Sequence, residues 1–112
     1  MTLEIIQLKI TEIEKAMTLL KFELGKLQQY PDYDSKMTSI SRPIMARYKA
    51  VYEAYTYTDF QNYNMFTWGV FSKLATQHNR KECLAWLLLN HVYDENAIIP
   101  ALKENKIIQN TP

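Results

Sequence analysis

Cys83, His78 and His91 are the only thiol and imidazole side chains in the 112 residues, so any nucleophilic or zinc chemistry must use them. A cysteine–histidine nucleophile requires the two groups within hydrogen-bond reach. His78 and Cys83 sit on either side of a predicted turn, but His78 also falls on the apolar stripe of a predicted helix, where a structural histidine is expected. A structural zinc site takes four closely spaced ligands. Cys83 and His91 lie eight residues apart on one predicted helix, about 12 Å at ~1.5 Å per residue. Glu82 and Asp94 would complete such a site only by tertiary accident. The two glycines, Gly25 and Gly69, are too far apart for a phosphate-cradling loop. No Glu-x-x-His pair marks a di-iron bundle. The expectation is therefore a protein that is not an enzyme, with no catalytic, cofactor-binding or metal-ligating residues.

Binding remains. Residues 47–66, RYKAVYEAYTYTDFQNYNMF, hold five of the eight tyrosines. Arg42, Arg47 and Lys49 lie in or just before this segment, and Lys73, Arg80 and Lys81 follow it. Basic side chains can track a phosphate backbone while aromatic rings stack on bases, so a small nucleic-acid-binding protein is the alternative reading, centred on residues 36–57. Net charge is only +1, which gives it no global electrostatic support.

The elements that would carry these residues read as helices. Two glycines and four prolines are too few for a turn-rich β fold. A chain of this length can bury roughly 65% of its unfolded surface, enough for one domain without metal or disulfide. A single cysteine suits a reducing compartment, the first segment mixes charge into its apolar residues unlike a signal peptide, and the longest apolar run, CLAWLLL, is far short of the ~20 residues that span a bilayer. A cytoplasmic protein with no membrane association is expected.

Leu3, Ile6, Ile10, Ile13, Met17, Leu20, Leu24 and Leu27 recur at spacings of 3 and 4, an unbroken heptad seam over four repeats. They predict a long first helix over 3–29, capped by Thr2 and ended by Pro31. A second strip, Ile5, Leu8, Leu19 and Phe22, lies opposite the seam. A two-stranded pairing leaves that strip wet, so one face of this helix is expected on its own chain and the other on a partner. Lys9 and Glu14 occupy g and e positions that attract in a parallel dimer.

A linker over 30–42 follows, rich in turn-forming residues, with Ser41 capping and Pro43 in the first turn of a second helix running to about Tyr57. Its core stripe is Ile44, Tyr48, Val51 and Tyr55, with Met45 and Tyr52 at the edge and Ala46, Ala50 and Ala54 on a face open to close approach. Thr58 and Gln61 form a capping box for a third helix reaching Gln77. Asn79 starts a fourth helix, RKECLAWLLLNHVY, and Asp94 caps a short last one, kinked or restarted near Pro100. The helical remainder spans 43–108 and residues 109–112 form a frayed tail. The fold class is all-α: one domain over 1–112, a bundle of four main helices plus a short C-terminal one. Its core is expected around Leu84, Leu87, Leu88, Phe71, Val70 and Leu74, closed by Val51 and the first-helix seam.

Surplus apolar helix surface without attached chemistry points to a protein–protein interaction module, an adaptor, regulator or inhibitor, homodimeric through apolar faces. The expected interface residues are Leu3, Ile6, Ile10, Ile13, Met17 and Leu20, with Arg47, Tyr52 and Tyr57 at the rim.

Overall fold

A computed structural model describes residues 1–109. They are all-helical, with no strand among them. Six α-helices occur: α1 (Leu3–Leu27), α2 (Arg42–Ala54), α3 (Tyr57–Asn62), α4 (Trp68–Leu74), α5 (Arg80–Leu89) and α6 (Ile98–Glu104), with one 3-10 turn at Ser35–Met37. Contacts gather the chain into two compact units, Met1–Thr56 and Tyr57–Pro112.

The first unit is a helical hairpin. Thr2 caps α1 as expected, its Oγ1 accepting from Ile5 N at 3.3 Å. The helix ends at Leu27, two residues early, because the chain turns through Gln28–Asp32 before Pro31 can act as the stop. Asp34 caps the 3-10 turn by accepting from Lys36 N at 2.9 Å. Ser41 is the N-cap residue of α2, with Pro43 in the first turn, where its missing N–H breaks no helical bond.

α1 and α2 meet along an unexpected face. The buried residues of α1 are Thr18, Phe22 and Gly25, not the heptad seam. At 100° per residue these three point about a third of the circumference away from the seam. Gly25 sets the approach: a Cβ there would lie 2.7 Å from the Tyr48 carbonyl carbon and 2.9 Å from Tyr52 Cβ. Around it the Phe22 and Tyr52 rings stand 5.2 Å apart. Gln28 Nε2 donates to Met45 O at 2.8 Å, and Tyr52 OH donates to Gln29 Oε1 at 3.2 Å. The close approach therefore includes a glycine of α1; on the alanine face of α2, Ala46 is exposed and Ala50 and Ala54 are half-buried. The α2 stripe is rotated accordingly: Met45, Val51 and Tyr55 are buried, Tyr48 is half-buried and Ile44 is exposed. α2 stops at Ala54, three residues before Tyr57.

The second unit encloses Phe60, Phe66, Val70, Phe71, Leu74, Cys83, Leu84, Leu87, Ile98, Leu102 and Ile108, all buried. Five of the six residues expected at the core centre are among them; Leu88 is only half-buried. Val51 is buried but belongs to the first unit. The first-helix seam, expected to close the core, is exposed.

The third predicted helix is two. α3 ends at Asn62, the chain turns through Tyr63–Phe66, and α4 restarts behind Thr67. Phe60 and Phe71 meet edge to face across this break, rings 4.8 Å apart at 73°. Tyr57 is already helical, so Thr58 sits inside the first turn of α3 and is not its cap. Asn79 is the N-cap residue of α5, with its side chain turned elsewhere. Asp94 accepts from Asn96 N at 3.0 Å and makes a turn ahead of α6, which begins at Ile98. Pro100 is then the third helical residue, where no intrahelical N–H bond is required.

α5 and α6 end alike. His91 and Lys106 adopt left-handed φ values of 56° and 61°. Past α5, His91 N bonds Leu88 O at 3.3 Å and Val92 N bonds Leu87 O at 3.0 Å. Past α6, Lys106 N bonds Lys103 O at 3.1 Å and Ile107 N bonds Leu102 O at 2.8 Å. Both are Schellman motifs built without glycine. Ile108 is buried, Ile107 half-buried and Gln109 exposed. The remainder of the expected frayed tail, 110–112, lies outside the described residues.

Candidate functional site: the uncovered face of α1

α1 is ~37 Å long at ~1.5 Å per residue, and α2 supports only its last third. No residue from Met1 to Met17 is buried. The seam is exposed along the whole helix, from 41% at Ile6 to 81% at Leu3, with Leu20 at 63% and Leu27 at 50%; only Leu24 is partly covered. Most soluble chains scatter exposed leucines singly. Here they form one continuous stripe at heptad spacing. The second strip divides: Phe22 is buried against Tyr52, whereas Ile5, Leu8 and Leu19 are exposed.

The polar margins of the seam carry opposite charges. Lys9 and Glu14 are both exposed and flank it on its g and e sides. Thr11 and Thr18 turn their hydroxyls inward along the helix, to Gln7 O at 3.0 Å and Glu14 O at 3.1 Å. This removes their polarity from the face that receives α2. Thr11, Thr18 and Gly25 recur every seven residues, and that small-residue row was the available signal for the covered face.

The expected rim residues are divided between the two units. Arg47 is exposed on α2, while Tyr52, five residues on, is half-buried inside the hairpin. Tyr57 is 43% exposed and belongs to the second unit. The basic residues are likewise divided. Arg42, Arg47 and Lys49 are in the first unit, with Arg42 Nη2 donating to Ser35 Oγ at 3.2 Å. In the second, Lys73 Nζ donates to Glu95 O at 3.0 Å, Arg80 Nη1 to Gln77 O at 3.3 Å, and Lys81 pairs with the buried Asp59 at 3.5 Å.

The thiol and the two imidazoles differ in environment: Cys83 is buried, and His78 and His91 are exposed. Cys83 is fully buried, its Sγ 3.6 Å from Asn79 Oδ1, while His78 is exposed and does not lie on an apolar stripe. Burial, reinforced by the neighbouring Glu82 charge, pushes the Cys83 thiol up from its ordinary range. A thiol so placed is held neutral and is a poor nucleophile at pH 7. His91 is exposed, its Nδ1 3.0 Å from Tyr93 OH. Among the described residues no three His, Cys, Asp or Glu side chains converge to hold a metal ion, and no helix is long and apolar enough to cross a membrane.

One constellation had no sequence signal. The Glu95 side chain lies over Gly69 in the first turn of α4, and its Oε2 accepts from Thr67 Oγ1 at 3.3 Å. A carboxylate at this end complements the helix dipole, and Lys73 grips the same residue by its carbonyl. The arrangement anchors the segment before α6; it offers no reactive group. No protein-family model, no curated protein and no solved structure matches the chain.

Proposed function

We propose that the protein is a non-enzymatic protein–protein interaction module, an adaptor, regulator or inhibitor, that homodimerises by burying the seam of α1. The observation that carries this reading is the exposed heptad stripe from Leu3 to Leu27, on a face α2 does not use. A heptad stripe is self-complementary, because two copies present identical knobs and holes to each other.

The area is adequate. The exposed fractions of Leu3, Ile6, Ile10, Ile13, Met17, Leu20 and Leu27 amount to about four fully exposed side chains. Burial at ~1.5–3 kcal/mol each contributes on the order of 6–12 kcal/mol per chain. Two chains together exceed most of the ~4–15 kcal/mol range for the cost of association.

Size-exclusion chromatography with light scattering tests the reading. The parent chain is expected to have a dimer mass in the micromolar range. Leu20→Asp, which places a charge in the seam, is expected to give the monomer mass. A parent chain that stays monomeric at high micromolar concentration would overturn the homodimer.

A further inference from the structure

We propose that the first four turns of α1, Leu3 to Met17, are made stably helical by a second copy of the chain, so that ordering of this arm and dimerisation are one event. The inference rests on the homodimer reading above and adds what that dimer does to its own subunits.

The arm has no tertiary support within its chain. None of its fifteen residues is buried, Thr11 alone being half-buried, whereas the contacts that fasten the hairpin, from Phe22, Gly25, Gln28 and Gln29 to α2, lie at and just past the other end of α1. Isolated helices shorter than about 12–15 residues are marginal in water even when alanine-rich. This arm is not alanine-rich: Ile5, Ile6, Ile10, Thr11 and Ile13 are β-branched, and they lose χ1 freedom on becoming helical. The Thr2 cap and the Glu12–Lys15 pair add small local terms. Attachment to the supported third spares the arm a costly nucleus, but each added turn leaves more apolar surface in water.

A second copy corrects this deficit. The arm holds five of the eight seam residues, Leu3, Ile6, Ile10, Ile13 and Met17, so pairing two arms covers the surface that is otherwise wet. In a parallel pairing Lys9 faces Glu14 of the other copy, and the contact occurs twice by symmetry. Full-overlap antiparallel pairing instead sets Glu14 beside Glu14 of the other copy. The same register also sets Lys9 beside Glu23 of the other copy, so charge does not choose the direction, and either direction covers the seam of the arm.

The test is hydrogen–deuterium exchange on the full chain, with light scattering on the same samples. In the dimer, amides of residues 6–17 are expected to be protected. On dilution to monomer their exchange is expected to rise to within a few-fold of unstructured rates, while residues 20–28 keep their protection. Ile13→Lys gives the monomer without dilution, and lysine is the better helix former, so lost protection there cannot be charged to propensity. Equal protection of residues 6–17 in dimer and monomer would overturn the inference and leave the homodimer standing. A parent chain that is monomeric at every concentration removes both.

Discussion

Replacing Gly25 with alanine adds one methyl group at the tightest approach between α1 and α2. On helix propensity alone the change stabilises, by about 1 kcal/mol. The structure predicts the opposite sign. The new Cβ would overlap the Tyr48 carbonyl oxygen and stand 2.7 Å from its carbon, so it must retreat by more than the ~0.7 Å that would clear the carbon alone. The obstacle is helix backbone, so the helices must separate. Separation stretches the 2.8 Å bond from Gln28 to Met45 O and the 3.2 Å bond from Tyr52 to Gln29. Each is worth ~0.5–1.5 kcal/mol, less for the exposed one. Overpacking of this kind costs ~1–3 kcal/mol. With the loss of the Gln28 bond included and the propensity gain subtracted, the net loss is about 0.5–3.5 kcal/mol, which lowers Tm by roughly 2–28 °C for a small domain. Urea and thermal melts followed by far-UV circular dichroism give the value. A Gly25→Ala chain as stable as the parent, or more so, would refute the backbone-level approach.

Three further outcomes follow from named contacts. Gly69→Ala drives a methyl group into the Glu95 carboxylate and should cost ~1 kcal/mol in the parent. In a Glu95→Ala background that cost should vanish, and additive effects in the double-mutant cycle would remove the contact. Lys106→Gly relieves a left-handed residue at the end of α6 and should raise stability by about 0.5–1 kcal/mol in denaturant melts; a fall would mean the lysine side chain contributes more than its backbone costs. Cys83 should react with a thiol reagent at pH 7 far more slowly than free cysteine, at a rate set by opening of the unit. Because the folded thiol titrates above the unfolded one, its stabilising contribution is intact below the ordinary cysteine range, about pH 8.5, and is lost as pH rises through the folded value. Cys83→Ser should flatten that alkaline decline, and an unchanged slope would assign it to other groups.

Much of the helix framework was legible because the signals are local. Thr2, Ser41 and Asn79 stand at the starts of helices as their residue types predict, although only Thr2 makes the side-chain cap bond. Val70, Phe71, Leu74, Leu84 and Leu87 are buried because few alternatives exist for apolar residues at helical spacing. The break between α3 and α4 was not legible: Phe60, Tyr63, Thr67, Phe71 and Leu74 keep a helical period across the turn, and periodicity does not register a change of axis. The face of α1 that receives α2 was misread for a physical reason. Hydrophobic period finds where apolar mass lies, and this contact is made by Thr18 and Gly25, which have little of it. The Glu95 anchor on α4 joins residues 28 apart, a separation at which no local pattern operates. Of the candidate site, the seam was visible in sequence, but its period alone allowed it both to close the core and to face a partner, and the structure leaves it exposed.

Asn79 has a consequence for engineering the chain. Its Nδ2 donates to Ile107 O at 2.9 Å while its Oδ1 receives the Cys83 Sγ–H. The residue that opens α5 therefore also fastens the segment that follows α6, in which Ile108 is buried. Trimming from the C-terminal side is thus not a cosmetic operation. A deletion that takes Ile107 and Ile108 uncovers apolar core and releases an amide at the start of a helix 28 residues upstream. The end of α6 is therefore not a permissive point for appending a tag or a fusion partner.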